Sequence, residues 1–361
     1  MYDVIIAGAG PAGGTLASLI DGDVLVLEKD KEATLKDSGL VSAHFRAFVD
    51  DDALIDSYVS EMEAVSPSGK TFLLRSDEPY AMLLKRKRFS YRLRIQAKEN
   101  ATVKYERVRG FRCHDDGVIV ETSKSTYEAK MIVGCDGTLS DVRKSMGIAP
   151  PAMVPGLFAR TRQKLKHDRI KVFFNKFFSP DFFSWIIPQE NEYGIMTSIR
   201  PRDHFNDFKK TMNLPDGELH SSMIPMGTTR SYGERALLVG ESCGQTKPLT
   251  GGGIIFSMRA ARMAARVIND AIARNRFDAP FLSRYHTAWR KELQWEIAKQ
   301  LLLRRIYRKL SNADIDKLFA AFGEDIEKIR RFDYDHITSS WSKLPKRKML
   351  AFALQNMHMI F

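Results

Sequence analysis

The stretch Gly8-Ala9-Gly10-Pro11-Ala12-Gly13 decides the fold, because it joins the uncharged apolar run at residues 4–7 to a short helical pattern. The first glycine permits a tight turn, the second lets backbone amides approach a diphosphate, and the third lets the helix pack closely on the strand. The helix N-terminus adds unpaired N–H groups and a partial positive charge. We therefore predict a dinucleotide site that contains Gly8, Gly10, Pro11, Ala12 and Gly13.

An acidic residue extends this site to the end of the next strand. A second apolar run at residues 24–27 leads to Glu28, which follows Gly8 by twenty residues. A carboxylate at this place accepts hydrogen bonds from a ribose 2′-hydroxyl and disfavours a 2′-phosphate. Glu28 and the adjacent Lys29 are therefore assigned to the same site. The β-α-β motif by itself serves FAD and NAD equally.

A second motif favours FAD. It covers residues 132–143, reads Ile-Val-Gly-Cys-Asp-Gly-Thr-Leu-Ser-Asp-Val-Arg, and resembles the GADGxxSxVR signature of the para-hydroxybenzoate hydroxylase-type flavoproteins. The resemblance implies that Asp136 and Gly137 form a turn near the diphosphate and that Arg143 anchors this turn. Cys135 takes a small-residue position of the pattern, so we expect it to pack and assign it no reactivity.

A third motif runs from Leu237 to Ile254 and matches the GDAAGxxxPxxGxGI signature of the same flavoproteins. A strand delivers a carboxylate to the ribityl hydroxyls, three glycines bring backbone amides to the isoalloxazine edge, and the positive end of the next helix favours the negative charge of the reduced ring. Glu241 stands where the signature has Asp, which adds a methylene group. The residues assigned to the cofactor are Gly240, Glu241, Pro248, Gly251, Gly252, Gly253 and Ile254.

The resemblance narrows to the geranylgeranyl reductases, whose third motif reads close to GDAAGxxKPxTGGGI. Residues 86–93 are similar to their RxxFDxxL, residues 180–188 to their PxxYxWxFP, and residues 224–227 and 285–289 to their PxG and YxxxW. This resemblance implies that Arg86 lies against the flavin. It also implies that a prenyl pocket is lined by Phe183, Trp185 and Pro188.

Further cofactor contacts follow from the same resemblance. They are Val108 and the loop residues Gly39, Leu40 and Val41. Many archaeal members have a cysteine before that Gly-Leu pair, where this chain has Ser38. Phe183 replaces a tyrosine and Ile187 replaces a phenylalanine of the pattern. These departures leave the exact substrate and any thiol role open.

The net charge, the short motifs and the cysteine content bear on the possible partners and on the cellular compartment. Fifty-six Lys and Arg residues against 44 Asp and Glu give a net charge of +12, which suits nucleic acid, an anionic membrane or acidic ligands and selects none of them. No nucleic-acid-binding motif is present, so we predict no nucleic-acid partner. Three scattered cysteines and an N-terminus without a basic region indicate a reducing, cytoplasmic setting without a signal peptide.

Membrane contact is left open. The uncharged run from Val4 to Ile20 is interrupted by glycines and is short for a span, so we expect no membrane-crossing segment. The basic run Lys346-Arg347-Lys348 precedes an apolar, Met-rich tail at residues 349–361. It suits a solvated helix end and a peripheral contact with the anionic inner face of a membrane equally well.

The fold class predicted from these patterns is mixed α/β: a doubly wound, Rossmann-like FAD-binding domain, a β-sheet substrate domain and C-terminal helices. The predicted FAD domain is discontinuous and comprises residues 1–75, 86–150 and 229–275. The substrate domain comprises residues 76–85 and 151–228, and the helical region residues 276–361. The aromatic residues at 173–185 suit both a sheet core and a prenyl pocket.

The function implied by the resemblance is the reduction of carbon–carbon double bonds in a polyprenyl lipid by reduced FAD. The electron donor, which is NAD(P)H, ferredoxin or another reductant, is left open, and no side chain is identified as a catalytic acid. A flavin-dependent monooxygenase acting on an aromatic or lipid substrate is the alternative, because the first two motifs suit both enzymes. The Lys247–Gly251 stretch and Trp185 favour the reductase.

Overall fold

A computed structural model describes residues 1–32, 37–336, 338–339 and 343–355. Within these residues the chain forms eighteen strands. They are β1 (Tyr2–Ala7), β2 (Val24–Glu28), β3 (Leu40–Ser42), β4 (Ile55–Val59), β5 (Glu61–Val65), β6 (Thr71–Arg75), β7 (Ala81–Leu84), β8 (Thr102–Tyr105), β9 (Val108–His114), β10 (Gly117–Thr122), β11 (Thr126–Gly134), β12 (Ala152–Arg160), β13 (Ile170–Phe173), β14 (Ser184–Ile187), β15 (Glu192–Met196), β16 (Glu218–Met226), β17 (Tyr232–Gly233) and β18 (Ala236–Leu238).

Nine α-helices are described in the same ranges. They are α1 (Pro11–Ala17), α2 (Arg86–Asn100), α3 (Asp141–Ser145), α4 (Pro201–Thr211), α5 (Ile254–Arg274), α6 (Ala279–Trp289), α7 (Trp295–Lys309), α8 (Asn312–Glu327) and α9 (Lys346–Gln355). A π-helical turn, Arg290–Gln294, joins α6 to α7. Short 3₁₀ turns occupy Ala43–Ala47, Asp52–Leu54, Pro188–Glu190 and Gly240–Cys243.

The chain divides into two compact units. The first comprises Met1–Thr34, Lys85–Ala152 and Ile224–Ala298, and the second Leu35–Leu84, Met153–Met223 and Lys299–Phe361. This division differs from the predicted domains at residues 35–75, because β5 pairs in parallel with β13 and so belongs to the second unit's sheet. It also splits the predicted C-terminal region, since α6 packs on α5 whereas α8 packs on β6.

The first unit is built on a sheet with the order β17-β18-β11-β1-β2-β8, to which β10 and β9 add at β11. β1 lies between β2 and β11 and is parallel to both, and β18 is parallel to β11. The carboxyl ends of these four strands therefore meet at one edge. The chain adds strands on one side of β1 first and on the other side later, which creates a switch point at that edge. The predicted doubly wound α/β class is confirmed.

Helices cover the first sheet because each presents a small-residue or apolar face. α5 is rich in buried alanine and carries buried Ile255, Phe256 and Ile268, and it packs on α1. A Cβ placed on Gly14 of α1 would lie 2.8 Å from the Leu93 Cβ of α2, so glycine lets these two helices approach closely.

The second unit contains a seven-stranded sheet with the order β16-β12-β15-β14-β13-β5-β6 and a three-stranded sheet with the order β3-β7-β4. Alternate residues of a strand face opposite sides. One side of the large sheet buries Ile186, Tyr193 and Ile195 with Phe205 and Phe208 of α4. The other side carries Ile170, Val172, Trp185 and Ile187 in a second apolar cluster.

The aromatic group at residues 173–185 is divided between these two sides. Phe173 and Phe178 belong to the core that contains Phe208, so for them the sheet-core interpretation holds. Phe183 instead lies near Phe174 and Trp185, with ring centres 6.2 and 6.1 Å apart. Phe174 also packs against Tyr307 and Phe319, so Phe183 and Trp185 are the two rings that we retain for the predicted pocket.

The C-terminal helix α9 packs through Met349 and Phe352 against Phe322, Ile329 and Leu344. Its Leu350 and Leu354 are 63% and 64% exposed. Residues 356–361, the end of the predicted apolar tail, lie outside the described residues. In the part of the chain that the structure describes, no helix combines the length and apolarity that crossing a bilayer requires.

Candidate functional site

In the glycine-rich turn after β1, Gly8 and Gly13 are closely packed against backbone atoms, whereas Gly10 borders open space. Gly8 has φ +98°, and a Cβ placed on Gly13 would lie 1.9 Å from the Gly8 carbonyl oxygen. A Cβ on Gly10 would have no atom within 4 Å, and this glycine precedes α1, which begins at Pro11 without a side-chain cap. Gly10 therefore faces space that a bound group can occupy, whereas Gly8 and Gly13 are required by the protein itself.

Glu28 lies at the end of β2 and reaches back to this turn. Its Oε2 accepts a hydrogen bond of 2.8 Å from the Ala9 N–H, and its Oε1 accepts one of 3.0 Å from the Asp30 N–H. A carboxylate has about four lone-pair positions, so Glu28 retains acceptor capacity for a hydroxyl group. The support that it gives to Ala9 is not visible in the sequence. Lys29 is half-exposed and pairs with Asp30.

The second motif forms the predicted turn after β11. Gly137 has φ +78°, and Asp136 accepts hydrogen bonds from the N–H groups of Asp141 and Val142 through Oδ2, at 2.8 and 3.1 Å. Asp136 therefore caps α3, a role that the motif does not reveal. Burial raises the pKa of Asp136 above its usual value, and four hydrogen bonds to it oppose this shift.

Arg143 joins the second motif to the third. It is buried, and its Nη1 donates to the Ser242 carbonyl at 2.7 Å while its Nη2 donates to the Thr138 carbonyl at 2.8 Å. The anchoring role predicted for Arg143 therefore has a geometric basis. Cys135 is buried beside Gly13, and burial raises the pKa of its thiol, which fits a packing role.

Glu241 lies where the second and third motifs meet. Its Oε2 accepts a hydrogen bond of 3.2 Å from the Thr138 hydroxyl. A Cβ on Gly253 would lie 3.1 Å from Oε1, and Gly253 precedes α5 without supplying a side-chain cap. The longer side chain of Glu is thus accommodated at the N-terminus of a 21-residue helix, whose dipole favours a carboxylate there.

The remaining residues of the third motif form a closed loop. Gly251 has φ +74°, its N–H donates to the Lys247 carbonyl at 2.8 Å, and the Lys247 N–H donates to the Gly252 carbonyl at 2.9 Å. A Cβ on Gly252 would lie 2.8 Å from Cε of Lys247, which is itself buried. Pro248 is buried in the same loop, and Ile254 begins α5.

Two supporting residues were missed by sequence reasoning. The Gln245 Oε1 accepts a hydrogen bond of 2.7 Å from the Gly240 N–H, and the Gln245 amide donates at 2.9 Å to the hydroxyl of fully buried Tyr285. Tyr285 begins the stretch that matches YxxxW, which was a signal without an assigned role. Trp289, at the end of that stretch, donates to the Ser231 hydroxyl at 2.8 Å.

The other predicted cofactor contacts are dispersed. Arg86 opens α2, with its guanidinium carbon 5.4 Å from the Phe89 ring centre. Val108 is buried in the core of the first sheet. Gly39, Leu40 and Val41 belong to the second unit, where Gly39 has φ +75° and Leu40–Ser42 pairs with β7.

The predicted substrate residues also lie in the second unit. Leu40 and Trp185 pack in the same apolar cluster, and Phe183 lies beside Trp185. Pro188 begins the 3₁₀ turn that follows β14. The structure therefore places Leu40 of β3 and Trp185 of β14 in one apolar cluster within this unit.

Several solved structures have the same fold as this chain. A geranylgeranyl bacteriochlorophyll reductase-like protein from Thermoplasma acidophilum superposes with a TM-score of 0.86 at 19% identity, over 99% of each chain. A p-nitrophenol 4-monooxygenase from Pseudomonas putida gives 0.69 at 16% identity, over 100% of this chain and 98% of the other. A halogenase in complex with FAD gives 0.63 at 14% identity, over 99% and 92%. The chain has the fold that these proteins share.

Sequence comparison is more specific. The chain is 24% identical to digeranylgeranylglycerophospholipid reductase 2 of Methanothermobacter thermautotrophicus, over 95% of this chain and 97% of that protein. It is 28% identical to digeranylgeranylglycerophospholipid reductase 1 of Methanococcoides burtonii, over 92% and 90%. No protein-family model matches the chain. The chain is a homologue of these archaeal reductases, and the resemblance predicted from its motifs is confirmed.

Proposed function

We propose that the protein is an FAD-dependent reductase that saturates carbon–carbon double bonds of a polyprenyl lipid of the geranylgeranyl type. One observation carries the cofactor part of this proposal: Arg143 and Glu241 join the second and third motifs at the sheet edge where the glycine turn also lies. The lipid part rests on the homologous reductases, which match the chain over nearly its whole length.

The residues of the first unit fit FAD. The open space at Gly10 suits a diphosphate, Glu28 keeps acceptor capacity for a ribose, and Glu241 lies within reach of the loop that would hold the flavin. We propose as cofactor contacts the residues Gly8, Gly10, Pro11, Ala12, Gly13, Glu28, Lys29, Arg86, Val108, Asp136, Gly137, Gly240, Glu241, Pro248, Gly251, Gly252, Gly253 and Ile254 of the first unit. Reduced FAD supplies a hydride to an alkene when it is bound.

The chain's own contribution to this reaction is positioning and the exclusion of water. Phe183 and Trp185 present apolar surface that suits a prenyl chain, with Pro188 at the end of the strand. Holding an alkene in a fixed orientation lowers the entropic part of the barrier, and a dry site protects the reduced cofactor from side reactions. In the first unit, the dipole of α5 favours negative charge near its N-terminus.

The flavin monooxygenase alternative is supported by the likeness to the p-nitrophenol 4-monooxygenase fold. An anaerobic reaction separates the two functions. Purified protein is loaded with FAD, reduced with dithionite under argon and incubated with a geranylgeranyl glycerolipid. Mass spectrometry should show two added hydrogen atoms per reduced bond. A substrate that stays unchanged without oxygen but gains an oxygen atom in air would identify a monooxygenase.

We also propose that NAD(P)H, ferredoxin or another reductant supplies the electrons in the cytoplasm and that α9 rests on an anionic membrane surface. Arg347, Leu350 and Leu354 lie at helical spacing on α9, and both leucines are exposed. A basic residue beside exposed leucines suits an anionic lipid surface. Sedimentation with phosphatidylglycerol vesicles should capture the protein, and phosphatidylcholine vesicles or L350E/L354E should not.

A further inference from the structure

We infer that Glu192 is a positioning residue that, together with Arg160, fixes the orientation of the Trp185 indole on the apolar side of the second unit's sheet. The inference rests on the proposed function in one respect, namely that Trp185 touches the prenyl chain. It adds Glu192, a residue that lies outside the motifs of the sequence.

The strand register places the three side chains on one side of the sheet. Glu192 of β15 pairs with Arg160 of β12 on one flank and with Ile187 of β14 on the other. Trp185 pairs with Gly194, two residues further along β15. Paired residues, and residues two apart in one strand, face the same side. Arg160, Trp185 and Glu192 are therefore neighbours, and they stand on the side that also carries Ile187.

Each oxygen of the Glu192 carboxylate has a definite partner. Oε1 accepts a hydrogen bond of 3.0 Å from the Trp185 indole N–H, and Oε2 accepts one of 3.1 Å from Nε of Arg160. Glu192 has no exposed surface, whereas Trp185 is only partly buried. The carboxylate thus holds one edge of the indole and leaves part of the ring accessible to an apolar ligand.

Gly194 of β15 also restricts the position of the Trp185 indole ring. A Cβ placed on Gly194 would lie 2.4 Å from Cζ2 of Trp185 and 2.7 Å from the Phe158 Cβ. The indole therefore lies directly on the backbone of β15. With its N–H bound and its ring against this glycine, Trp185 has little freedom to rotate.

Stability alone does not account for a charged pair at this place. A buried ion pair repays little of its desolvation cost, and apolar residues of similar size often stabilise a fold as well or better. The surrounding side chains Ile170, Val172 and Ile187 are apolar. A carboxylate among these apolar side chains fixes the orientation of the Trp185 indole, because it accepts a hydrogen bond from the indole N–H at one defined point.

The ionisation of Glu192 should occur near neutral pH. Burial raises its pKa to about 7, while Arg160 and the Trp185 hydrogen bond oppose the rise and nearby Glu190 adds to it. Glu190 in turn lies 3.3 Å from Nη2 of Arg160. Protonation of Glu192 weakens its pairing with Arg160, so the environment of the indole should change with a midpoint near pH 7.

Fluorine NMR of protein labelled with 5-fluorotryptophan tests this without any substrate. The sequence contains four tryptophans, and Trp185→Phe assigns the Trp185 resonance. We expect this resonance to shift with a midpoint near pH 7 in the wild type and to lose that shift in Glu192→Gln. Glu190→Gln is the matched control, because Glu190 pairs with Arg160 but not with the indole, and it should retain the titration.

Kinetics test the consequence for the substrate. Glu192→Met, which removes the acceptor of the indole N–H, and Trp185→Phe, which removes the donor, should each raise KM for a geranylgeranyl lipid by about tenfold, equivalent to one lost hydrogen bond, with kcat changed by less than about twofold. A Trp185 resonance that is insensitive to pH and to Glu192→Gln overturns the inference, as does an unchanged KM in both variants. If the wild type does not reduce the lipid while its Trp185 resonance titrates, the proposed function fails but the Glu192–Trp185 coupling stands.

Discussion

The turn at Gly8–Gly13 and the sheet side around Trp185 build binding surfaces in opposite ways. The turn is shaped by backbone, and Gly13 and Gly8 are required because their added Cβ atoms would meet carbonyl oxygens 1.9 and 2.5 Å away, respectively. The Trp185 surface is shaped by side chains, since Glu192 and Arg160 of the neighbouring strands hold the indole in place. A site made of backbone leaves a short, readable motif, whereas a site made of side chains depends on partners that only folding brings together.

The largest effect should come from two alanine substitutions in the glycine turn. Gly13→Ala should lower the free energy of unfolding by more than about 3 kcal/mol, because its Cβ would overlap the Gly8 carbonyl oxygen. Gly10→Ala has open space and a φ of −75°, so it should fold normally but bind FAD weakly. Denaturant unfolding and FAD titration measure the two quantities. A Gly10→Ala protein with full FAD affinity would argue against a diphosphate at this turn.

Replacing the residue that joins the second and third motifs should have the next largest effect. Arg143→Lys cannot reach both the Thr138 and Ser242 carbonyls, so the free energy of unfolding should fall by about 2 kcal/mol. Denaturant unfolding of the protein without cofactor measures this loss. Arg107→Lys, which alters an exposed pair with Asp141, is the control and should change stability little. Equal losses in both variants would remove the special role of Arg143.

The free energy of unfolding should depend on pH through the ionisation of Glu192, the buried carboxylate of the second unit. Because the folded pKa of Glu192 is raised from 4.5 to about 7, folding favours the protonated form. The resulting stabilisation is present below pH 4.5 and is lost as the pH rises through 7. Between pH 5 and pH 8 the wild type should lose about 2 to 3 kcal/mol more than Glu192→Gln. Parallel stability curves for the two proteins would contradict this assignment.

The smallest effect should follow from restoring the aspartate of the flavoprotein signature. Glu241→Asp keeps the charge at the start of α5, so the dissociation constant for FAD should change by less than about threefold. Glu241→Ala removes both the charge and the partner of Thr138, and it should weaken FAD binding by about tenfold. Fluorescence titration compares them. Similar losses in both variants would show that the length of the side chain, and not its charge, matters.

The sequence predicted the doubly wound sheet and the turns at Gly8 and Gly137, because local backbone conformation dictates those residues. It could not show that Asp136 caps α3 or that Glu28 holds the Ala9 N–H, since each motif names a residue without naming its partner. It grouped residues 35–75 with the first unit, because the partner of β5 is β13, more than a hundred residues later. The role of Glu192 could not be predicted from the sequence for the same reason, because its partners come from two neighbouring strands.

The hydrogen-bonded series from Tyr285 through Gln245 to Gly240 bears on the design of shortened proteins. A fragment that stops after α5 retains all three glycine-containing motifs but lacks the phenol that orients Gln245. The amide of Gln245 would then be free to rotate, and Gly240 would lose the partner of its N–H group. A minimal nucleotide-binding fragment of this chain should therefore extend at least through Trp289, although no recognised cofactor residue lies beyond Ile254.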